Sequence, residues 1–294
     1  MLMWIASRPI PSACPPTELS FNLRTRRTEP AVHRLSWVLP AHNEVENISR
    51  SIGAAEAVLN ALVQSGQLID WEVVVVDDGS VDGTAAAVAA HPNVRVRLVR
   101  HGANQGYGAA LRTGFRAAQG DLVFFTDADL QFDAQEVVRL MPWVGQYDIV
   151  TGYRAPRQDP WVRRANAKAW GLALYGVFGL DVQDVNCAFK LFHKHVLDTV
   201  SIRSEGAFVN AEILVQAQQR GFRIRQVPVS HFAREAGTQS GAQPRVVLRA
   251  LKELARFYRG DWGTEAPFSD AAASPPVGPW TSEPRAASVA STIR

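Results

Sequence analysis

The chain has 294 residues, of which 47% are hydrophobic and 20% charged. That is ordinary globular composition, long enough for one large domain or two small ones. A formal net charge of only +3 excludes nucleic-acid binding through a global basic field and leaves local clusters as the electrostatic signals. Two cysteines, Cys14 and Cys187, give no disulfide framework and fit a reducing compartment. No run of 18 apolar residues predicts a transmembrane helix.

Residues 1–33 read as a disordered N-terminal extension. The apolar start is too short for a signal peptide, prolines follow at 9, 11, 15 and 16, and Arg24, Arg26 and Arg27 suit a solvated basic tail. Residues 261–294, rich in Ala, Ser and Pro, read as a second disordered tail. Between them, residues 34–260 are expected to form a single domain in which strand and helix patterns alternate. Strand-like runs fall at 35–39, 71–76, 94–99, 122–125, 148–151 and 224–229; helical spacing falls at 45–62, 80–90, 107–118, 205–219 and 245–259. The four valines at 73–76 suit a strand covered on both faces. This order predicts an α/β fold with a mostly parallel sheet flanked by helices, its ligands beyond the carboxyl ends of the strands.

The polar motifs lie at those ends. Asp127, Asp129 and Gln131 follow the run at 122–125. Residues two apart on an extended chain point the same way, so three oxygens can converge. Such a set suits Mg²⁺ or Mn²⁺, with substrate phosphate and water completing the shell. Capping a helix that starts near Asp133 is the alternative role for the two carboxylates. The strand before them, the glutamine after them and the motifs at neighbouring strand ends favour the metal. Pro40 to Glu44 follows the first strand, and Asp77-Asp78-Gly79-Ser80 follows the second. Asp78 is placed to accept hydrogen bonds from a base edge or ribose, Gly79 to turn the chain, and Ser80 to cap the next helix. In the segment 104–114, Gly106, Gly108 and Ala109 leave room for a ligand to approach the backbone.

Together, PAHNE at 40–44, VVVVDDGSVDGT at 73–84, NQGYGAALRTGF at 104–115 and FFTDADLQFD at 124–133 resemble the family 2 glycosyltransferases of GT-A (Rossmann-like) fold. The resemblance is to the polyprenyl-phosphate branch, the dolichol-phosphate mannosyltransferase-like enzymes. It implies an inverting, metal-dependent hexosyltransferase that takes a sugar from a GDP-mannose or UDP-glucose type donor to a polyprenyl or dolichyl phosphate. By resemblance, Asp127, Asp129 and Gln131 hold the metal, and Pro40, Glu44 and Asp78 line the nucleoside site. Gly106, Arg112, Lys190 and Ser240 join the donor side. The His-Pro-Pro that often follows the glutamine in that family is Phe132-Asp133-Ala134 here.

The second half carries further elements of the resemblance. Gly152-Tyr153-Arg154 stands where the family has Gly-Ser-Arg. The segment from Asp184 to Phe192 resembles the family's element beside the donor sugar, with Cys187-Ala188 for Ser-Gly. Arg234, Gly237 and Ser240 match a loop that closes over the diphosphate. A basic stretch leading into the apolar segment 171–180 suits a phosphate carried on a lipid, with Arg154, Arg164 and Lys168 as its grip. Asp184 is placed to hydrogen-bond the sugar, and the catalytic set is Asp127, Asp129, Arg154, Asp184 and Arg234.

A phosphate monoester, with a second pKa of about 6, is largely dianionic at neutral pH and needs cations rather than a base. A hydroxyl acceptor needs a carboxylate base. Glu212 is the candidate base in the alternative reading, transfer to a hydroxyl of a glycan, lipid or protein. The Glu-Asp pair and Gln-x-x-Arg-Trp element of polysaccharide-forming relatives are missing, which favours the phosphate. A non-catalytic nucleotide-sugar-binding protein is the third reading, and the acidic set at 127–131 argues against it. Residues 245–259 set Val247, Leu248, Leu251, Leu254 and Tyr258 against Arg245, Arg249, Lys252, Arg256 and Arg259. That helix suits either an anionic membrane surface or packing on the sheet. The expected partners are a nucleotide sugar and a polyprenyl phosphate lipid, with no nucleic acid. The expected location is cytoplasmic, peripheral on the inner face of a membrane.

Overall fold

A computed structural model describes residues 33–155, 161–234 and 244–261. The expected extension and tail fall outside these residues except for their inner ends, His33, which begins the first strand, and Asp261. Seven strands form one sheet: β1 (His33–Ala41), β2 (Leu68–Asp77), β3 (Val96–Arg100), β4 (Leu122–Thr126), β5 (Ile149–Arg154), β6 (Phe189–His193) and β7 (Ile224–Val229). Their order is β3-β2-β1-β4-β6-β5-β7. β1 pairs parallel with β2 and β4, β2 with β3, and β5 with β7. β6 runs antiparallel to both its neighbours.

The strand sequences dictate the two-sided cover. All four valines at 73–76 are fully buried, and they alternate between two core layers. Val73 and Val75 join Trp37, Leu39 and α1 (Ile48–Gln64), which buries Ile48, Ile52, Ala55, Leu59 and Leu62 at helical spacing. Val74 and Val76 face the other way, to Val38 and to Leu111 and Phe115 of α3 (Tyr107–Ala117). A Cβ on Gly114 would overlap the Val38 side chain, so α3 lies tight on β1 only because that residue is glycine.

The chain runs outward from β1 through α1 to β2, then through α2 (Thr84–Ala89) to β3. It then returns along α3 to β4, on the other side of β1. That reversal opens a crevice beyond the carboxyl ends of β1 and β4. α4 (Trp161–Phe178), α5 (Lys194–Thr199), α6 (Val209–Gln219) and α7 (Pro244–Arg259) complete the described elements, with 3₁₀ turns at Ala134–Arg139 and Met141–Trp143. α2 begins four residues later than its sequence suggests, at Thr84 rather than 80. The residues before it form a loop tied to the neighbouring one.

The expected apolar stripe of α7 is split. Ala250, Leu254 and Phe257 pack inward, Phe257 against Phe178 of α4 and Phe208. Leu248, Leu251 and Tyr258 are exposed, as are Leu172, Tyr175 and Val177 of α4. Among the described residues no helix is long and apolar enough to cross a membrane.

Candidate active site

Two loops at the carboxyl ends of β1 and β2 are stitched together. Asn43, at φ 56°, donates its backbone N–H to Ser80 Oγ (2.9 Å), and its Oδ1 accepts from the Val81 N–H (3.0 Å). Glu44 N–H donates to Thr84 Oγ1 (2.9 Å). Asp82 accepts from the N–H of Val45 (3.1 Å) and of Thr84 (3.0 Å). Ser80 therefore serves the loop junction instead of capping α2, and Asp82 satisfies the first helical N–H. Gly79 turns at φ 70° against the Ala103 backbone, as its sequence position suggests.

Asp78 is buried, and its carboxylate accepts from Gln105 N–H (2.9 Å), Gly106 N–H (2.8 Å) and His101 Nδ1 (2.7 Å). Burial pushes its pKa up, but these bonds outweigh burial and hold it below the usual carboxylate range. Most of its acceptor capacity anchors the loop ahead of α3. The glycines of that loop differ from expectation. A Cβ on Gly106 or Gly108 would overlap the backbone of Glu205 or Ser204, and Gly108 N–H donates to Glu205 O (2.8 Å). The room they leave is filled by the chain's own 204–205 segment, not held open for a ligand.

The acidic centre lies where β4 ends. β4 stops at Thr126, and Leu130 at φ 60° bends the chain, so strand alternation does not carry through Asp129 and Gln131. Tertiary bonds orient these side chains instead. Asp127 Oδ1 accepts from the Tyr107 hydroxyl (2.9 Å). Asp129 is 8% exposed, accepts from the Gln131 N–H (3.2 Å) and lies 3.5 Å from Arg234, which also pairs with Glu44. Gln131 Nε2 donates to Phe232 O (3.0 Å), fastening the segment after β7 to the one after β4. His231 packs its ring against Phe132 and makes a backbone bridge to it, a loop-packing histidine.

Burial first, and the charge of Asp129 next, push the Asp127 carboxyl up to about 7. Burial likewise raises Asp129. Neither carboxylate caps the following 3₁₀ turn; Asp133 does, accepting from Gln135 N–H. Among the described residues no group of three or more His, Cys, Asp and Glu side chains forms a metal site by itself. Two mutually repelling carboxylates, the Gln131 amide oxygen and adjacent Glu44 nonetheless fit a hard divalent ion whose shell is shared with substrate oxygens.

Lys190 of β6 pairs with Phe125 and Thr151, so Asp127 and Arg154 emerge from one end of the sheet. Arg154 forms a two-pronged pair with buried Asp184, Nε to Oδ2 at 2.7 Å and Nη2 to Oδ1 at 2.9 Å. Lys190 is neither solvated nor open to a phosphate. It is 1% exposed, bonds to the carbonyls of Val185 and Cys187 and to Asn210 Oδ1, and burial lowers its pKa to about 8. Cys187 is a buried free thiol, which burial pushes up to about 12.

Glu212 is 1% exposed and accepts the backbone N–H groups of Arg203 (3.0 Å) and Ser204 (2.9 Å). Both oxygens of the candidate base hold a loop. Arg112 is not brought to the acidic centre: its guanidinium donates to Ile202 O (3.3 Å). Arg164 and Lys168 stand exposed on α4, while Gly237 and Ser240 lie outside the described residues. Sequence reasoning missed Tyr107 and Asn210. Tyr107 stood in view between the two glycines.

The sheet order, with its crevice beyond the strand ends, is that of a known class of α/β fold, as comparison with solved structures shows. Mannosyl-3-phosphoglycerate synthase from Rubrobacter xylanophilus superposes with a TM-score of 0.56 at 18% identity, over 81% of this chain and 78% of that one. Glucosyl-3-phosphoglycerate synthase from Mycobacterium tuberculosis, solved with Mn²⁺, UDP and glucosyl-3-phosphoglycerate, gives 0.54 at 22% identity over 77% and 76%. The fold is of GT-A type. Residues 36–201 match the sequence profile of glycosyl transferase family 2, and the chain belongs to that family. An undecaprenyl-phosphate 4-deoxy-4-formamido-L-arabinose transferase from Serratia proteamaculans is 31% identical over 216 residues, which is 72% of this chain. One of the same description from Aeromonas hydrophila is 32% identical over 69% of it. The chain spans 63% and 61% of the length of these two relatives.

Proposed function

We propose that this chain is a metal-dependent inverting glycosyltransferase that moves a sugar from a nucleoside diphosphate sugar to a polyprenyl phosphate at a membrane surface. The observation that carries the reading is the pairing of two groups at one sheet end. One is the acidic centre of Glu44, Asp127, Asp129 and Arg234; the other is the Arg154–Asp184 pair. The relatives' named acceptor, undecaprenyl phosphate, supports the same acceptor class here.

Asp127, Asp129 and the Gln131 oxygen would hold Mg²⁺ or Mn²⁺, which supplies charge neutralisation on the departing diphosphate. Arg234 adds a guanidinium to that neutralisation once the donor's phosphates draw it from Glu44. Pro40, Glu44 and Asp78 border the nucleoside side, Asp78 by fixing the loop at Gln105 and Gly106. A lipid phosphate oxygen attacks the anomeric carbon from the face opposite the diphosphate. The new carbon–oxygen bond forms as the bond to the diphosphate oxygen breaks, and the configuration inverts. Arg154, held in place by Asp184, brings a guanidinium charge to the side from which the lipid phosphate arrives. The phosphate reading is favoured over a hydroxyl acceptor because Glu212, the candidate base of that alternative, is 1% exposed and holds a loop through both oxygens.

The donor half is tested by thermal shift. UDP or GDP should raise the unfolding temperature with Mn²⁺ present and leave it nearly unchanged in EDTA. An equal shift in EDTA would remove the metal from the account.

The membrane half draws on exposed Leu172 and Tyr175 of α4, beside Arg164 and Lys168, and on exposed Leu248, Leu251 and Tyr258 of α7, beside Arg249, Lys252, Arg256 and Arg259. Contacts of Phe178 with Phe257 and Tyr258 join the two helices. Each basic residue near an anionic leaflet is worth roughly 1 kcal/mol. Flotation should recover the protein with anionic liposomes at low salt and lose it as salt rises. Equal recovery with neutral liposomes would refute electrostatic docking.

A further inference from the structure

The segment ahead of α6 is gripped by two helices at once. Its four consecutive backbone N–H groups, at residues 203 to 206, all donate to buried carboxylates. Arg203 and Ser204 donate to Glu212 of α6 (3.0 and 2.9 Å). Glu205 and Gly206 donate to Oε1 of Glu253 on α7 (3.3 and 3.0 Å). Glu253 is only 6% exposed. Arg249, one turn earlier on α7, gives Nε to the same Glu253 oxygen (3.3 Å) and Nη2 to Glu205 Oε2 (2.5 Å). Its charge offsets the carboxylate that the fold has buried.

The other side of this segment meets the loop ahead of α3. Gly108 N–H donates to Glu205 O (2.8 Å). A Cβ on Gly106 would lie 2.4 Å from Glu205 O, and one on Gly108 would lie 2.2 Å from Ser204 O. Backbone rests on backbone there, with no flexible side chain between to absorb a shift. The hydrogen bond opposes separation and the contact opposes approach. The front of the same loop borders the crevice: Gln105 and Gly106 N–H donate to Asp78, and the Tyr107 hydroxyl donates to Asp127 Oδ1 (2.9 Å).

We infer that Glu253, supported by Arg249, is a positioning residue for the loop at 104–108. α7 clamps residues 205 and 206 from behind, and they set where Gly106, Tyr107 and Gly108 stand beside Asp78 and Asp127. The inference rests on the reading of the crevice as a nucleoside diphosphate site. It gives α7 a second task. The helix turns Leu248, Leu251 and Lys252 outward, while Glu253 reaches inward to the support of that loop.

Affinity for UDP and GDP with Mn²⁺ is measured by isothermal titration calorimetry at a temperature where each variant is folded. A loop that keeps its binding position only about a tenth of the time binds about tenfold more weakly, and Glu253→Ala should lose affinity on that scale. Glu253→Gln keeps an oxygen for the N–H groups of Glu205 and Gly206 and should restore most of it. A merely structural carboxylate would lower the unfolding temperature and leave the affinity of the folded molecules unchanged. Arg249→Ala removes a half-exposed side chain from the same clamp and should weaken binding in the same direction. The double variant Arg249→Ala with Glu253→Ala should be little worse than Glu253→Ala alone, since both loosen one clamp. If Glu253→Ala does not fold, Arg249→Ala with Glu253→Gln decides. Wild-type affinity in Glu253→Ala, or in Arg249→Ala where that variant decides, overturns the clamp and leaves the donor reading intact. A wild-type protein that binds neither nucleotide overturns the donor reading and the clamp with it.

Discussion

Asp129→Asn should lower sugar transfer by about two to three orders of magnitude without unfolding the protein. The loss follows from charge. In the proposed reaction Asp129, with Asp127, Glu44 and Arg234, would stand where negative charge leaves with the diphosphate, and a misplaced or missing cation there forfeits stabilisation of that scale. The fold should survive because the exchange relieves repulsion: burial raises both the Asp127 and Asp129 carboxyls above the ordinary range, and the Asp129 charge adds to the rise at Asp127. Asparagine also keeps an oxygen for the Gln131 N–H that Asp129 accepts. Steady-state transfer and thermal melting, measured side by side, check both halves. Full activity of the wild type in EDTA would sink the interpretation, whatever the variant does.

Arg154→Ala should have the second largest effect, and on two quantities at once. The guanidinium side chain is 15% exposed and that of Asp184 3%, so removing Arg154 takes the charged partner from a buried carboxylate, which keeps the backbone N–H at 154 (3.3 Å). Removing one member of a buried pair costs about 3 kcal/mol. The acceptor requirement should rise about tenfold or more as a charge-assisted phosphate contact of roughly 1.5–3 kcal/mol disappears. Replacing both partners, Arg154→Met with Asp184→Leu, separates the two effects. That double variant should recover much of the stability and none of the acceptor affinity. Acceptor affinity returning together with stability would reduce the pair to a structural brace.

The sequence made the frame readable where one element carried its own pattern. The valines at 73–76 announce a strand covered on both faces, and helical spacing locates α1 and α3 to within a few residues. The two Asp residues after β4 could be singled out because hard-cation chemistry needs little more than oxygens at a strand end. What depends on distant partners was not readable. β6 is a five-residue strand whose second residue, a lysine, suggests an exposed face, yet β6 lies inside the sheet between β4 and β5 and the lysine is satisfied by carbonyls and Asn210. Gly106 and Gly108 signal a close approach in any reading, but only the fold shows that segment 204–205 is what approaches. Glu212 looks like any helix-face carboxylate until the N–H groups of Arg203 and Ser204 are seen to meet it. Tyr107 was hidden by its neighbours, since a motif read for glycines draws attention from the aromatic between them.

The acceptor class is the centre of the account, and one product analysis tests it most directly. The protein is incubated with Mg²⁺ or Mn²⁺, a panel of radiolabelled UDP- and GDP-sugars, undecaprenyl phosphate and a hydroxyl-bearing glycan acceptor, and the mixture is extracted into organic solvent. Label is expected in the lipid phase with at least one donor, lost when EDTA is added or the lipid phosphate is replaced by the free alcohol. Label on the glycan, with none on the lipid for any donor, would contradict it.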